Sequence, residues 1–185
     1  FFETSHKVVL LLGTEDTRYQ YGSNAEIGLH AGVNGFSHLW GTVYGLVDNT
    51  WIEYSPPPIL VTATSGTTKA RYFTLKAAFD AINAGTHTDA VTIKVTGNTT
   101  ETATATLNAS GQGSTDYTDI TMYPIVPGVS ISGSVAGPLV NLNGADNATI
   151  DGRLNATGST IDLALNNTNT GTAAITLQLN NGATS

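Results

Sequence analysis

The sequence contains no cysteine, so neither a disulfide framework nor a thiolate metal site can form. Charge is scarce as well: 11% of residues are charged, against about 25% in an ordinary soluble domain. What charge there is leans acidic, with 7 Lys+Arg against 14 Asp+Glu and a formal net charge of −7. The basic clusters that hold a phosphate backbone are therefore missing, and nucleic acid is not an expected partner. No apolar run approaches the about 20 residues of a membrane span. The longest, Val8-Val9-Leu10-Leu11-Leu12, is strand-sized, and no signal peptide is visible. His6, His30, His38 and His87 show neither metal-ligand nor catalytic-triad spacing. No glycine cluster precedes a helix in phosphate-loop form.

Threonine, asparagine, glycine and alanine fill the space that charge leaves, which gives a neutral surface rich in hydroxyls and amides. The 185 residues suffice for one ordinary domain or two small pieces. The chain begins without Met inside a β-like run and ends inside what reads as a repeat. That pattern reads as a fragment of a longer protein, with any sorting signal outside it.

Residues 1–55 hold both tryptophans, Trp40 and Trp51, and most of the tyrosines. Short β-like runs at 7–12, 18–21, 26–30, 38–44 and 51–54 are separated by Gly13, Gly22-Ser23-Asn24, Gly32-Val33-Asn34-Gly35 and Asp48-Asn49. This spacing predicts the C-terminal half of an antiparallel β-sandwich. Pro56-Pro57-Pro58 then marks a boundary, because three prolines cannot join a central strand and favour a stiff spacer. Residues 56–71 are read as a Pro-rich linker and lead-in.

A helix is predicted over 74–84. Leu75, Ala78, Phe79 and Ile82 fall at i, i+3, i+4 and i+7, on one stripe. Thr74 stands where an N-cap belongs, and Gly85 where a left-handed C-terminal cap needs no Cβ. Beyond it come short alternating runs at 91–95, 120–123, 129–132, 139–142, 148–150, 161–165 and 174–179, most bounded by Gly, Asn or Asp. The segments beginning at Leu139 and Leu177 share L-x-x-x-N-G-A-x-x at an offset of 38 residues (181 − 143), a long offset for one coil. Recurrent Asn after an apolar strand suits a solenoid corner, where the residue tolerates left-handed backbone and its amide can bond to the copy above. The fold class is therefore all-β. A right-handed parallel β-helix spanning 72–185, capped at its N-terminal end by the 74–84 helix, is the expected architecture. An antiparallel sandwich is the alternative.

Two stretches carry a family resemblance. Glu3-Thr4, Val8-Val9-Leu10, Tyr21-Gly22 and Ala25-Glu26-Ile27-Gly28-Leu29 resemble a β-sandwich module of large secreted Bacteroidetes proteins. The helix segment from Tyr72 to Asn83, with Thr96-Gly97-Asn98-Thr99-Thr100-Glu101 and the run from Leu142 to Gly152, resembles the start of the β-helix of the same proteins, within the pectin-lyase-like superfamily. The resemblance implies export through the type IX system, with the secretion machinery as a partner of the parent protein. It places the chain outside the cell or on its outer surface, and it implies no activity, since members include adhesins.

The chemistry-bearing candidates are few. Asp146, Asp151 and Asp162 form the best carboxylate group, with Arg153 beside Asp151. Such a group could hold Ca2+ in a lyase or serve acid and base in a hydrolase. The alternative reading makes Asp151 a turn residue after a strand. No cofactor is expected, and Ca2+ is the one ion considered. Trp40, Tyr44 and Trp51 could stack on sugars, although a sandwich core commonly claims such rings. Thr102, Thr104 and Thr106 alternate with alanine, so three hydroxyls on one face of a strand are predicted. Asn98, Asn108, Asn147, Asn155 and Asn166 lie in N-x-S/T sequons, which arise by chance in so Asn- and Thr-rich a chain. The expected function is a non-catalytic adhesin or stalk segment whose partners are polysaccharides or cell-surface glycans. A fragment of a polysaccharide lyase or glycoside hydrolase with catalytic rungs beyond Ser185 is the alternative.

Overall fold

The computed structural model describes residues 56–184 together with the backbone of four short strands before them. The chain divides into two compact units, Phe1–Pro56 and Pro57–Ser185. In the first, β1 (Arg18–Gln20) pairs antiparallel with β4 (Trp51–Glu53), and β2 (Glu26–Leu29) with β3 (Leu39–Thr42). Four of the five runs expected there are strands; the fifth, 7–12, lies outside the described residues.

The second unit is built of strands with a single α-helix among the described residues. It opens with a hairpin, β5 (Ile59–Gly66) and β6 (Lys69–Tyr72). Residues 59–71 are thus not a lead-in. Ile59 and Val61 have no exposed surface, and β5 pairs antiparallel with the first strand after the helix. The apolar run Ile59-Leu60-Val61 directly after the prolines carries this strand.

After α1 (Leu75–Asn83) the chain makes three similar circuits. The first consists of β7 (His87–Val95), β8 (Thr99–Glu101) and β9 (Ala105–Asn108). The second has β10 (Tyr117–Pro124), β11 (Val129–Gly133) and β12 (Pro138–Asn143). The third has β13 (Ala148–Ile150), β14 (Leu163–Asn167) and β15 (Ile175–Asn180). Corresponding strands pair in parallel, giving three sheets ordered β6-β5-β7-β10-β13, β8-β11-β14 and β9-β12-β15.

Register converts the alternating sequence into apolar columns. Val91 lies beside Ile120 and then Ala148, Ile93 beside Met122 and Ile150, and Leu107 beside Leu142 and Leu179. Side chains of one parity point inward along a strand, so in the first two circuits these columns form seams of the core, with Val91, Ile93, Leu107, Ile120, Met122 and Leu142 all buried. Circuits stack tightly at the corners. A Cβ on Gly133 would sit 2.4 Å from the Glu101 carbonyl oxygen of the circuit before it, a separation only glycine permits.

The 38-residue offset is one circuit. Asn143 pairs with Asn180 in the ladder, and one extra residue, Asn181 at φ 52, carries the chain round the corner. The threonine row fails, however. Residues 102–104 form a bend between the second and third sheets, and only Thr106 lies on a strand. Ala103 is exposed between the buried Glu101 and Ala105, although a straight strand would turn all three the same way, so the alternation breaks at this bend. Ile161 likewise lies outside β14, in an excursion over 151–162 that includes a 3-10 turn at Leu154–Ala156.

The helix lies where its spacing predicts, with Leu75, Ala78, Phe79 and Ile82 buried. Its first three N–H groups, which have no intrahelical acceptor, are all satisfied. Leu75 N–H and Lys76 N–H donate to the two carboxylate oxygens of Glu101 at 2.8 and 3.0 Å, and Ala77 N–H donates to Thr74 Oγ1 at 3.1 Å. Glu101 is 2% exposed. A buried carboxylate needs such compensation, and the positive end of the helix dipole adds to it. Glu101 thereby fastens the helix to the first circuit. Replacing Glu101 with Ala is expected to lower the stability of the second unit by about 3 kcal/mol, since two hydrogen bonds to a charged group are lost and two N–H groups stay buried. Chemical denaturation followed by circular dichroism checks this, and a change below about 0.5 kcal/mol would refute the role.

Candidate functional site

The corner between the third and first sheets holds a column of asparagines. Asn143 Nδ2 donates to Asn108 Oδ1 at 2.9 Å, and Asn181 Nδ2 donates to Asn143 Oδ1. This is the stacked corner that the recurring Asn implies. The column also continues into the helix. Asn83, the last helical residue, donates through Nδ2 to Thr106 O at 2.8 Å and accepts from Asn108 N–H at 3.0 Å. The helix therefore takes the place of a preceding circuit at this corner. A second amide, Asn167, serves the corner between the second and third sheets. It accepts from Val135 N–H and donates to the carbonyls of Val135 and Gly137.

The three candidate aspartates are held at separate places. Asp146 Oδ1 accepts from the N–H and hydroxyl of Thr184, at 3.0 and 2.7 Å, tying the second circuit's corner to the third. Asp162 Oδ1 accepts a 3.3 Å bond from Gly128 N–H. Asp151 accepts from Arg153 Nε and Nη2, at 2.9 and 2.6 Å, and from the Arg153 backbone N–H at 2.9 Å. Among the described residues no three His, Cys, Asp or Glu side chains come together as a group that could hold a metal ion. Asp151 thus bonds the backbone two residues on, as a turn aspartate does. Its partner Arg153 also reaches the carbonyl of Gly158 at 3.3 Å and bridges Ile161, which closes the 151–162 excursion.

The Arg153 guanidinium, donating to both carboxylate oxygens, draws the Asp151 pKa down to about 2, and the same pairing raises that of Arg153. Arg153 is thereby moved further from acting as a base near neutrality. Among the sugar-stacking candidates, Trp40 lies on β3 and Trp51 on β4, in different ladders. Tyr44 lies outside the described residues, as do the side chains of both tryptophans.

The structure also pairs the buried His87 with the half-buried Tyr72. His87 has no exposed surface, and its Nε2 lies 2.6 Å from Tyr72 Oη while its Nδ1 lies 2.5 Å from Thr67 O. A carbonyl can only accept, so Nδ1 carries the proton and neutral Nε2 accepts from the tyrosine hydroxyl. The rings meet edge to face, with centroids 5.8 Å apart. This pair joins the β5–β6 hairpin to β7. Burial pushes the His87 pKa below 6.5 against the opposing pull of the Thr67 carbonyl, and burial raises that of Tyr72. The available signal was parity: His87 shares the inward phase of Val91, Ile93 and Val95.

Comparison with protein-family models, curated proteins and solved structures finds no match to this chain.

Two titrations follow from these geometries. Asp151 has a depressed pKa in the folded state, so its contribution to stability is present above its ordinary value of 3.8 and is lost as pH falls through about 2. Arg153→Ala should return the Asp151 pKa toward the ordinary carboxylate range, read from the side-chain carboxyl resonance; an unmoved titration would refute the pairing. His87 is a base with a lowered pKa, so its contribution is complete above 6.5 and is lost as pH falls from there through the folded value. The urea midpoint of the second unit should therefore drop between pH 7.5 and pH 5. His87→Gln, which cannot titrate, should show a smaller drop over the same interval, and an equal drop would place the proton elsewhere.

Proposed function

We propose that this chain is a non-catalytic segment of a secreted or cell-surface protein, an adhesin or stalk, located outside the cell. In this reading the second unit is a right-handed parallel β-helix of the pectin-lyase-like kind, capped by α1, and the first unit is part of a β-sandwich. The observation that carries the reading is the asparagine column running from the helix through all three circuits. Such a corner serves stacking, and repeated stacking makes a rigid scaffold whose stability sums over neighbouring layers. The candidate carboxylates support a scaffold as well, since each is engaged in holding a corner or a turn. The mechanism is presentation, in which a rigid support displays weak glycan contacts that avidity multiplies.

The test is to present the full chain, immobilised at high density, to a panel of polysaccharides and intact cells while assaying the supernatant for reducing ends and unsaturated uronates. Retention without product is expected. Product formation would favour a fragment of a lyase or hydrolase, and neither retention nor product would remove the adhesin reading.

A further inference from the structure

Among the described residues the dipeptide Asn-Gly occurs twice, at Asn143-Gly144 and Asn181-Gly182, each time followed by alanine. The two copies occupy the same corner in successive circuits, so their local chemistry is alike and their surroundings differ. Asparagine before glycine is open to an intramolecular reaction in which the glycine nitrogen attacks the side-chain carbonyl carbon. With no Cβ on the glycine, nothing crowds that approach. The Asn34-Gly35 pair lies outside the described residues.

Asn143 is shut off from this reaction. Its Nδ2 donates to Asn108 Oδ1 at 2.9 Å and its Oδ1 accepts from Asn181 Nδ2, so the amide is clamped between the layers before and after it. The nucleophile is occupied too, since Gly144 N–H donates to Asn180 O at 2.8 Å. A Cβ on Gly144 would sit 3.3 Å from Asn181 O and 3.4 Å from Ala109 Cβ, which leaves this corner little room to rearrange.

Asn181 has the opposite surroundings. It and Gly182 are exposed, and Gly182 N–H has no acceptor among the described residues. A Cβ on Gly182 would meet nothing within 4 Å. Among the described residues one bond, from Nδ2 to Asn143 Oδ1, holds the Asn181 side chain. The residues on either side, Asn180 and Thr184, are tied to the second circuit through Gly144 and Asp146, so the peptide between 181 and 182 is the loose part of the corner.

We propose that Asn181 is a site of spontaneous deamidation and that Asn143, in the same tripeptide, is protected by the circuit stacked over it. The Gly182 nitrogen gives its proton to water or hydroxide and bonds to Asn181 Cγ. The Cγ–Nδ2 bond breaks, ammonia leaves with a proton from solvent, and a succinimide closes. Water then adds to either ring carbonyl and opens the ring, leaving aspartate or isoaspartate at 181. The sum is one water consumed and one ammonia released, with no change of oxidation state.

Either product alters the corner. A carboxylate cannot donate, so the bond to Asn143 Oδ1 is lost and a negative charge is set against a carbonyl oxygen. Isoaspartate also routes the backbone through Cβ, which lengthens a turn built on positive φ at both residues, 52 and 80. The asparagine column loses its last link, while the bonds among Asn83, Asn108 and Asn143 stay in place. The site is independent of what the chain binds.

The experiment is to hold the full chain in mildly alkaline buffer, digest it at acidic pH, and follow the peptides containing Asn143 and Asn181 by mass spectrometry. The mass gain of amide-to-acid conversion and the separate elution of the two products read the reaction. Conversion at 181 should run roughly tenfold or more faster than at 143, because the 143 corner must open before Gly144 can attack. In strong denaturant the two sites should convert at similar rates, since the fold no longer separates them. Asn181→Asp, which sets one product in place, should exchange the Ala183 and Thr184 amide hydrogens faster than the parent. Equal rates at the two sites in the native chain, conversion at 143 ahead of 181, or an Asn181 that stays unconverted while the denatured chain reacts would each overturn the inference. Unchanged exchange in Asn181→Asp would overturn the loss of the link.

Discussion

Along the first two circuits, inward-facing residues are buried where another layer lies over them. Val91 and Ile93 are dry because Ile120 and Met122 cover them on one side and β5 covers them on the other. Leu177 and Leu179 occupy equivalent columns in the third circuit and remain 38% and 58% exposed. The sequence of the two layers is equally apolar; position in the stack makes the difference. Fully burying such a side chain stabilises by about 1.5–3 kcal/mol, so a circuit is worth forming only next to its neighbour.

The first layer therefore sets the condition for the rest. It is made from unlike parts, an antiparallel hairpin over the first sheet and a helix beside the third, and each part needs its own attachment. The hairpin is fastened through the β5–β7 ladder and through Tyr72, whose hydroxyl meets the buried His87. Glu101 fastens the helix at one end and Asn83 at the other. Four polar side chains, Tyr72, His87, Glu101 and Asn83, thus add at the start of the stack to the backbone ladder that joins β5 to β7. In each case a buried polar group is satisfied by a specific partner, because an unsatisfied one would cost more than the bond contributes.

The surface follows a different logic. With few charges available, the corners are held by amides and by single carboxylates accepting from nearby N–H and hydroxyl groups. This use of Asp146, Asp151 and Asp162 accounts for their recurrence near turns without any appeal to chemistry. Among the described residues, Lys69, Arg71 and Lys94 have no carboxylate within 4.0 Å.

Local signals were legible wherever the chemistry was local. The spacing of Leu75, Ala78, Phe79 and Ile82 defined the helix, Thr74 its start, and period-two alternation most of the strands. The Asn-Gly echoes marked a corner that recurs once per circuit. Short strands escaped because three or four residues carry too little periodicity: β8 and β9 flank a bend that the alternating Thr and Ala conceal. The hairpin escaped because prolines drew attention from the apolar run that follows them. Glu101 could not have been found, since its partners Leu75 and Lys76 lie 26 and 25 residues away. By itself the sequence determined which residues prefer helix, strand or corner, because those preferences rest on neighbours a few positions apart. Which apolar residues share a column, which asparagines stack and which threonines form a row were decided by register between circuits, where residues about thirty positions apart are set side by side.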